Sequence, residues 1–152
     1  MKKRQDLNGF DVPTATLESE WLVTVDTPAG GVQSVLTALE QSIPMVQGPY
    51  DCCTYVRQNG LQRFRALEGS HAGAEGTIQQ TPASQVIFSI PQDHDLLSQV
   101  FEVVFSAHAN EEPTIRVQQA WGCRSKLLDD KENPNRYWNR PDADALHGES
   151  VA

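Results

Sequence analysis

The first sustained pattern along the chain is an apolar, β-branched run at residues 21–26, Trp-Leu-Val-Thr-Val-Asp, which has the composition of a buried strand. Pro28 then opens a stretch in which Val32, Val35, Leu36 and Leu39 recur at helical spacing, so an amphipathic helix is predicted next. Residues 43–49 hold two prolines and a glycine and should carry the chain back across the fold. Residues 54–58 and 61–66 flank Asn59-Gly60, a dipeptide that tolerates positive φ at both turn positions, and this predicts a tight hairpin. Gly69, Gly73 and Gly76 interrupt the following stretch, with a short strand expected around residues 77–80. Residues 85–90, Gln-Val-Ile-Phe-Ser-Ile, form a further apolar strand that Pro91 ends. Residues 93–109 contain no helix breaker. Asp93 or Asp95 can cap the start, and Leu97, Val100, Phe101, Val104, Phe105 and His108 share one stripe, the signature of a second helix. After Pro113, residues 114–121 alternate as a strand with one wet face.

Strand, helix, hairpin, strand, helix and strand in this order make a split βαβ pattern. The predicted fold is α+β: a ferredoxin-like sandwich in which two helices cover one face of an antiparallel sheet. A chain of 152 residues holds one such core. Residues 1–19 are expected to be a flexible arm, residues 20–126 the domain, and residues 127–152 a polar, disordered tail. Within that tail Tyr137, Trp138, Asn139 and Arg140 form an aromatic island that should dock on its own domain or on a neighbouring subunit.

Charge narrows the partners. Twelve Lys and Arg stand against 20 Asp and Glu, a formal charge of -8, which argues against a protein that grips a phosphate backbone. The one basic run, Lys2-Lys3-Arg4, is not followed by the apolar stretch of a signal peptide or membrane span, so neither nucleic acid nor membrane is an expected partner. The expected location is the cytoplasm. Of the three cysteines, Cys52 and Cys53 are adjacent and would point to opposite faces of a strand, and no Cys-x-x-Cys pair is present. Buried or half-buried structural thiols in a reducing compartment are the expectation.

Three segments carry a family resemblance: Gly48-Pro-Tyr-Asp-Cys52, Phe64-Arg-Ala-Leu-Glu-Gly69 and His108-Ala-Asn-Glu-Glu-Pro113. In order and spacing they resemble the inserted middle domain of the NIF-three-like (YqfO-type) proteins, whose pattern runs Gly-Asn-Tyr-Asp-x-Cys, Phe-x-Pro-x-x-Gly and His-Pro-Tyr-Glu-Glu-Pro. Ala66 stands where that family has proline, Ala109-Asn110 replaces Pro-Tyr, and either Cys52 or Cys53 matches its cysteine. The resemblance covers residues 21–121 and implies a PII/CutA-like domain, hence a homo-oligomer, with a trimer favoured. The ligands of the family's dinuclear metal centre belong to its surrounding hydrolase domain, which this stretch does not include. The implied role is therefore a non-catalytic regulatory or ligand-sensing protein that binds a small ligand or a divalent metal ion between subunits. The alternatives are a metal-dependent hydrolase-like enzyme and a protein-interaction module anchored by Tyr137 and Trp138.

Candidate ligand-binding residues are Tyr50, Asp51, Glu68, Gly69 and His71, which fall at element ends and in the glycine-rich loop. Candidate metal ligands are His108, Glu111 and Glu112, an imidazole with nearby carboxylates. Each has a structural reading beside the chemical one: Asp51 capping a turn, His108 closing the second helix, Glu111 and Glu112 solvated, and the glycines marking a plain loop.

Overall fold

The apolar alternation of residues 21–26 lies in the middle of a longer strand. In the computed structural model, which describes residues 6–73 and 75–148, strand β1 spans Ala15–Pro28, so it starts within the stretch expected to be a free arm. The basic run Lys2-Lys3-Arg4 lies outside the described residues. Strands β2 (Tyr55–Arg65), β3 (Ile78–Pro91) and β4 (Thr114–Ser125) complete one sheet in the order β2-β3-β1-β4, with every neighbouring pair antiparallel. Helices α1 (Val32–Ser42) and α2 (His94–Ala107) follow β1 and β3 respectively. This is the ferredoxin-like arrangement that the patterning predicts.

Both helices lie on one side of the sheet. Val23 and Val25 of β1, Val86, Phe88 and Ile90 of β3, Val35 and Leu39 of α1, and Val100 and Val104 of α2 form one buried cluster, closed by Ile43 and Met45. Burying a side chain of this size stabilises the fold by about 1.5–3 kcal/mol, so this layer dominates the packing energy. Helix α2 starts where Asp93 accepts hydrogen bonds from the backbone N–H groups of Asp95 (2.8 Å) and Leu96 (3.0 Å). That satisfies two of the donors a helix start leaves unpaired. The stripe runs through Leu96, Leu97, Val100, Val103 and Val104; Phe105, assigned to it from the sequence, is instead exposed.

The hairpin expected at Asn59-Gly60 does not form. Asn59 does adopt positive φ (64°), as the dipeptide invites, but the chain continues as β2. Arg57 pairs with Gln85 and Gly60 with Ala83, so three steps along β2 face two along β3, which is a β-bulge. Both halves of β2 pair with the same long strand, and the two short strands expected at residues 77–80 and 85–90 are one, β3. A Cβ at Gly60 would stand 3.0 Å from the carbonyl oxygen of Ala83, so the bulge favours glycine there.

The strands outrun one another at both ends of the sheet. Residues 15–19 of β1 pair with β4 only, and residues 78–82 of β3 pair with β2 only. Two ribbons therefore project in opposite directions.

Candidate functional site

Three connections hold the residues singled out from the sequence: the turn before β2, the glycine-rich loop between β2 and β3, and the link from α2 to β4. The last two meet. The backbone N–H of His71 donates to Glu111 Oε1 (2.8 Å), and His71 Nδ1 lies 2.5 Å from Glu111 Oε2, so one carboxylate clasps two atoms of a loop residue 40 positions away in sequence. These hydrogen bonds, the backbone one first, hold the Glu111 carboxyl below its ordinary pKa. A carboxylate accepts and does not donate, so Nδ1 carries the shared proton and Nε2 is left to solvent. His71 and Glu111, read from the sequence as parts of two different sites, thus form one.

His108 faces the other way. The backbone N–H of Asn110 donates to its Nδ1 (3.0 Å), which makes Nε2 the protonated nitrogen, and Nε2 donates to the carbonyl oxygen of Asp26 (2.7 Å). The ring braces the end of α2 against β1, with both nitrogens engaged. His108 and Glu111 are therefore directed at different partners, and Glu112 is exposed. Among the described residues, no three His, Cys, Asp or Glu side chains stand together so as to hold a metal ion.

Tyr50 and Asp51 sit in a turn of their own. Gln47 and Tyr50 exchange backbone hydrogen bonds (2.9 and 3.1 Å) around Gly48, whose φ of 56° suits a residue without Cβ. Tyr50 is exposed, and Asp51 Oδ1 accepts from the backbone N–H of Cys52 (2.6 Å), a local cap. Glu68 and Gly69 form the turn that opens the glycine-rich loop, closed by Ser70 N–H on Leu67 O (3.1 Å). The expectation of sheltered thiols fails for Cys52 and Cys123, which are exposed; Cys53 is half-buried.

The face of the sheet away from the helices carries a polar row that the sequence reading missed. Arg57 Nη1 donates to Gln85 Oε1 (3.3 Å), Gln85 Nε2 donates to Asp26 Oδ1 (2.8 Å), and Arg116 Nη1 lies 3.5 Å from Asp26 Oδ2. One residue from each strand takes part. Beside it, a depression of about 260 Å³ is lined by Asp26, Arg57, Asn59, Gly60, Ser84 and Gln85 among others. The signal was present as alternation: each of these polar residues follows or precedes an apolar one, Val25, Val56, Val86 or Ile115.

No model of a protein family matches the chain, and no curated protein matches it. Among solved structures, a Bacillus cereus protein related to NIF3 matches with a TM-score of 0.57 and 24% identity, covering 68% of this chain and 26% of that one. CutA1 from Oryza sativa matches with a TM-score of 0.51 and 14% identity, over 69% of this chain and 83% of that one. The divalent ion tolerance protein CutA1 from Ehrlichia chaffeensis matches with a TM-score of 0.50 and 13% identity, over 68% and 82%. The chain thus spans about a quarter of the length of the NIF3-related protein. These likenesses establish the fold, that of a PII/CutA-like domain resembling the one in NIF3-related proteins. No helix among the described residues is long and apolar enough to cross a membrane.

Proposed function

We propose that this chain is a non-catalytic regulatory or ligand-sensing module that works as a homo-oligomer, a trimer, and holds a small ligand or divalent metal ion between subunits. The observation that carries this reading is the exposed edge at β2 and the adjoining end of β3. Tyr55, Leu61, Phe64 and Ile78 are all exposed there, between 43% and 65%. A two-stranded ribbon is only marginally stable in water, and a long apolar edge invites pairing with another chain. A second copy is the partner that every molecule of the protein has at hand, and closed symmetry is the common outcome.

The ligand half of the reading rests on the His71–Glu111 clasp. With Nδ1 fixed by a carboxylate, Nε2 of His71 is oriented outwards as a ligand atom, the arrangement found behind many metal-binding histidines. Glu68, Gly69 and Glu112 are near in sequence, and Tyr50 and Asp51 supply a second polar turn. A neighbouring subunit completes the donor set that one chain lacks. The CutA1 proteins of the same fold are named for divalent ion tolerance, which supports a metal as the ligand. Three cysteines without disulfides support a cytoplasmic location.

Light scattering at micromolar concentration tests the assembly: three times the 16.8 kDa chain mass is expected, and the mass of a single chain overturns it. Leu61→Asp combined with Phe64→Asp should give folded monomers, read by circular dichroism beside the scattering. Calorimetric titration with zinc, copper and manganese should show binding that His71→Ala removes and His108→Ala leaves in place. A second reading, a protein-interaction module, is favoured by Tyr137 and Trp138, which stay 63% and 49% exposed. They sit in a short 3-10 turn (Tyr137–Asn139) where Arg140 lies over the Tyr137 ring at 5.2 Å, and the surrounding segment is held by Asp130 to Arg136 at 3.2 Å.

A further inference from the structure

We propose that Cys52 and Cys53 form a vicinal dithiol that chelates a soft, thiophilic ion of low coordination number, of which monovalent copper and trivalent arsenic are examples. This site is separate from the His71–Glu111 clasp and does not depend on the oligomer. In a strand the two side chains would point to opposite faces. They are not in a strand: Cys52 lies at a bend with a φ of 54°, one of two non-glycine residues with positive φ among the described residues. The other, Asn59, serves the β2 bulge. A left-handed residue at 52 removes the strict opposition of the neighbouring side chains, and both thiols are free.

The backbone that presents them is pinned. Asp51 Oδ1 accepts from the Cys52 N–H (2.6 Å), and the Cys53 N–H donates to the carbonyl oxygen of Met45 (2.9 Å), a residue only 1% exposed in the core. The Cys53 thiol also reaches the carbonyl oxygen of Asp51 (3.7 Å). Holding two donors in place before binding lowers the ordering cost of chelation. Consecutive Cα atoms stand about 3.8 Å apart across a trans peptide. Two sulfurs on one linear ion lie about 4.6 Å apart, twice a metal–thiolate bond of about 2.3 Å, which two side chains so placed can span.

The surroundings select the guest. Asp51 and Glu40 stand close enough to act on the Cys52 thiol, which is raised above its ordinary pKa by loss of solvent first and then by Asp51, Glu40 and Cys53. A negative surrounding favours a cation over an anion. Zinc seeks four ligands in a structural site, and among the described residues no three His, Cys, Asp or Glu side chains stand together here. Thiolates prefer soft ions, and a site of two favours those content with two or three bonds. Binding is a substitution without electron transfer: each sulfur gives its proton to solvent as it bonds to the ion. With phenylarsine oxide, two arsenic–sulfur bonds replace the arsenic–oxygen double bond and one water leaves.

The probes are phenylarsine oxide and monovalent copper, applied to the full chain under reducing, oxygen-free conditions. Intact mass should show one phenylarsenic adduct, accompanied by loss of one water, that withstands excess 2-mercaptoethanol and is reversed by a small dithiol. Cys52→Ser and Cys53→Ser should each weaken arsenical binding by roughly 100-fold or more, because the second bond forms at high effective concentration. Cys123→Ser should leave it unchanged. Copper(I), measured against a chromogenic chelator, should follow the same pattern and bind more tightly than zinc. Full binding in either single variant, loss in Cys123→Ser, release by the monothiol, or preference for zinc would each overturn the proposal. Unchanged melting temperatures of the serine variants separate loss of the site from loss of the fold.

Discussion

The two faces of the sheet are built from alternate residues of the same strands, yet they are held by different physics. On the covered face Val23, Val25, Val86, Phe88 and Ile90 meet both helices and are at most 3% exposed. On the open face Asp26, Gln85, Arg57 and Arg116 are joined side chain to side chain, in contact with water. Apolar burial is proportional to area removed from water and needs no exact partner, whereas solvated polar links contribute little each. The covered face therefore supplies stability, and the open face and its edges are where chemistry and partners can change without unfolding the domain.

Leu39→Ala, in the centre of the covered face, should cost about 2–5 kcal/mol in chemical denaturation, since it removes a fully buried side chain and leaves a cavity. His108→Phe should cost about 1–3 kcal/mol by leaving the Asp26 carbonyl without its donor. Thermal melting reads the same change. Asp93→Ala should cost about 1 kcal/mol through loss of the α2 cap, measured by equilibrium unfolding. Asp26→Asn, on the open face, should cost less than about 1 kcal/mol; a loss as large as that of Leu39→Ala would show the polar row to be part of the core.

The clasp gives the smallest effect and a pH signature. Glu111 has its carboxyl pKa lowered in the folded state, so the stability it contributes is present above the ordinary glutamate value and is lost as pH falls through the lowered one. An amide titration by NMR should show the His71 N–H moving in that acidic window, and Glu111→Gln should abolish the transition.

Much of this was legible in local patterns. The strand at residues 21–26, the helical stripe around Val35 and Leu39, and the Asp93 cap follow from periodicity and backbone hydrogen bonding within a few residues. Asn59-Gly60 shows the limit: the positive φ was readable, but a bulge and a reversal ask the same of that residue. Only the length of β3, able to pair with both halves of β2, chose between them. His71 and Glu111 could each be picked out as polar residues in loops, but nothing local joins two positions 40 apart. The polar row on the open face went unread for the same reason.

By itself, then, the sequence determined the two helices, the apolar centres of the strands and most of the face each turns to the core, because period and chain stiffness act over one or two turns. Tertiary structure decided which strands pair along their whole length, which way His108 points and which loops meet. Those outcomes depend on distances between segments remote in the chain, and no residue type records them.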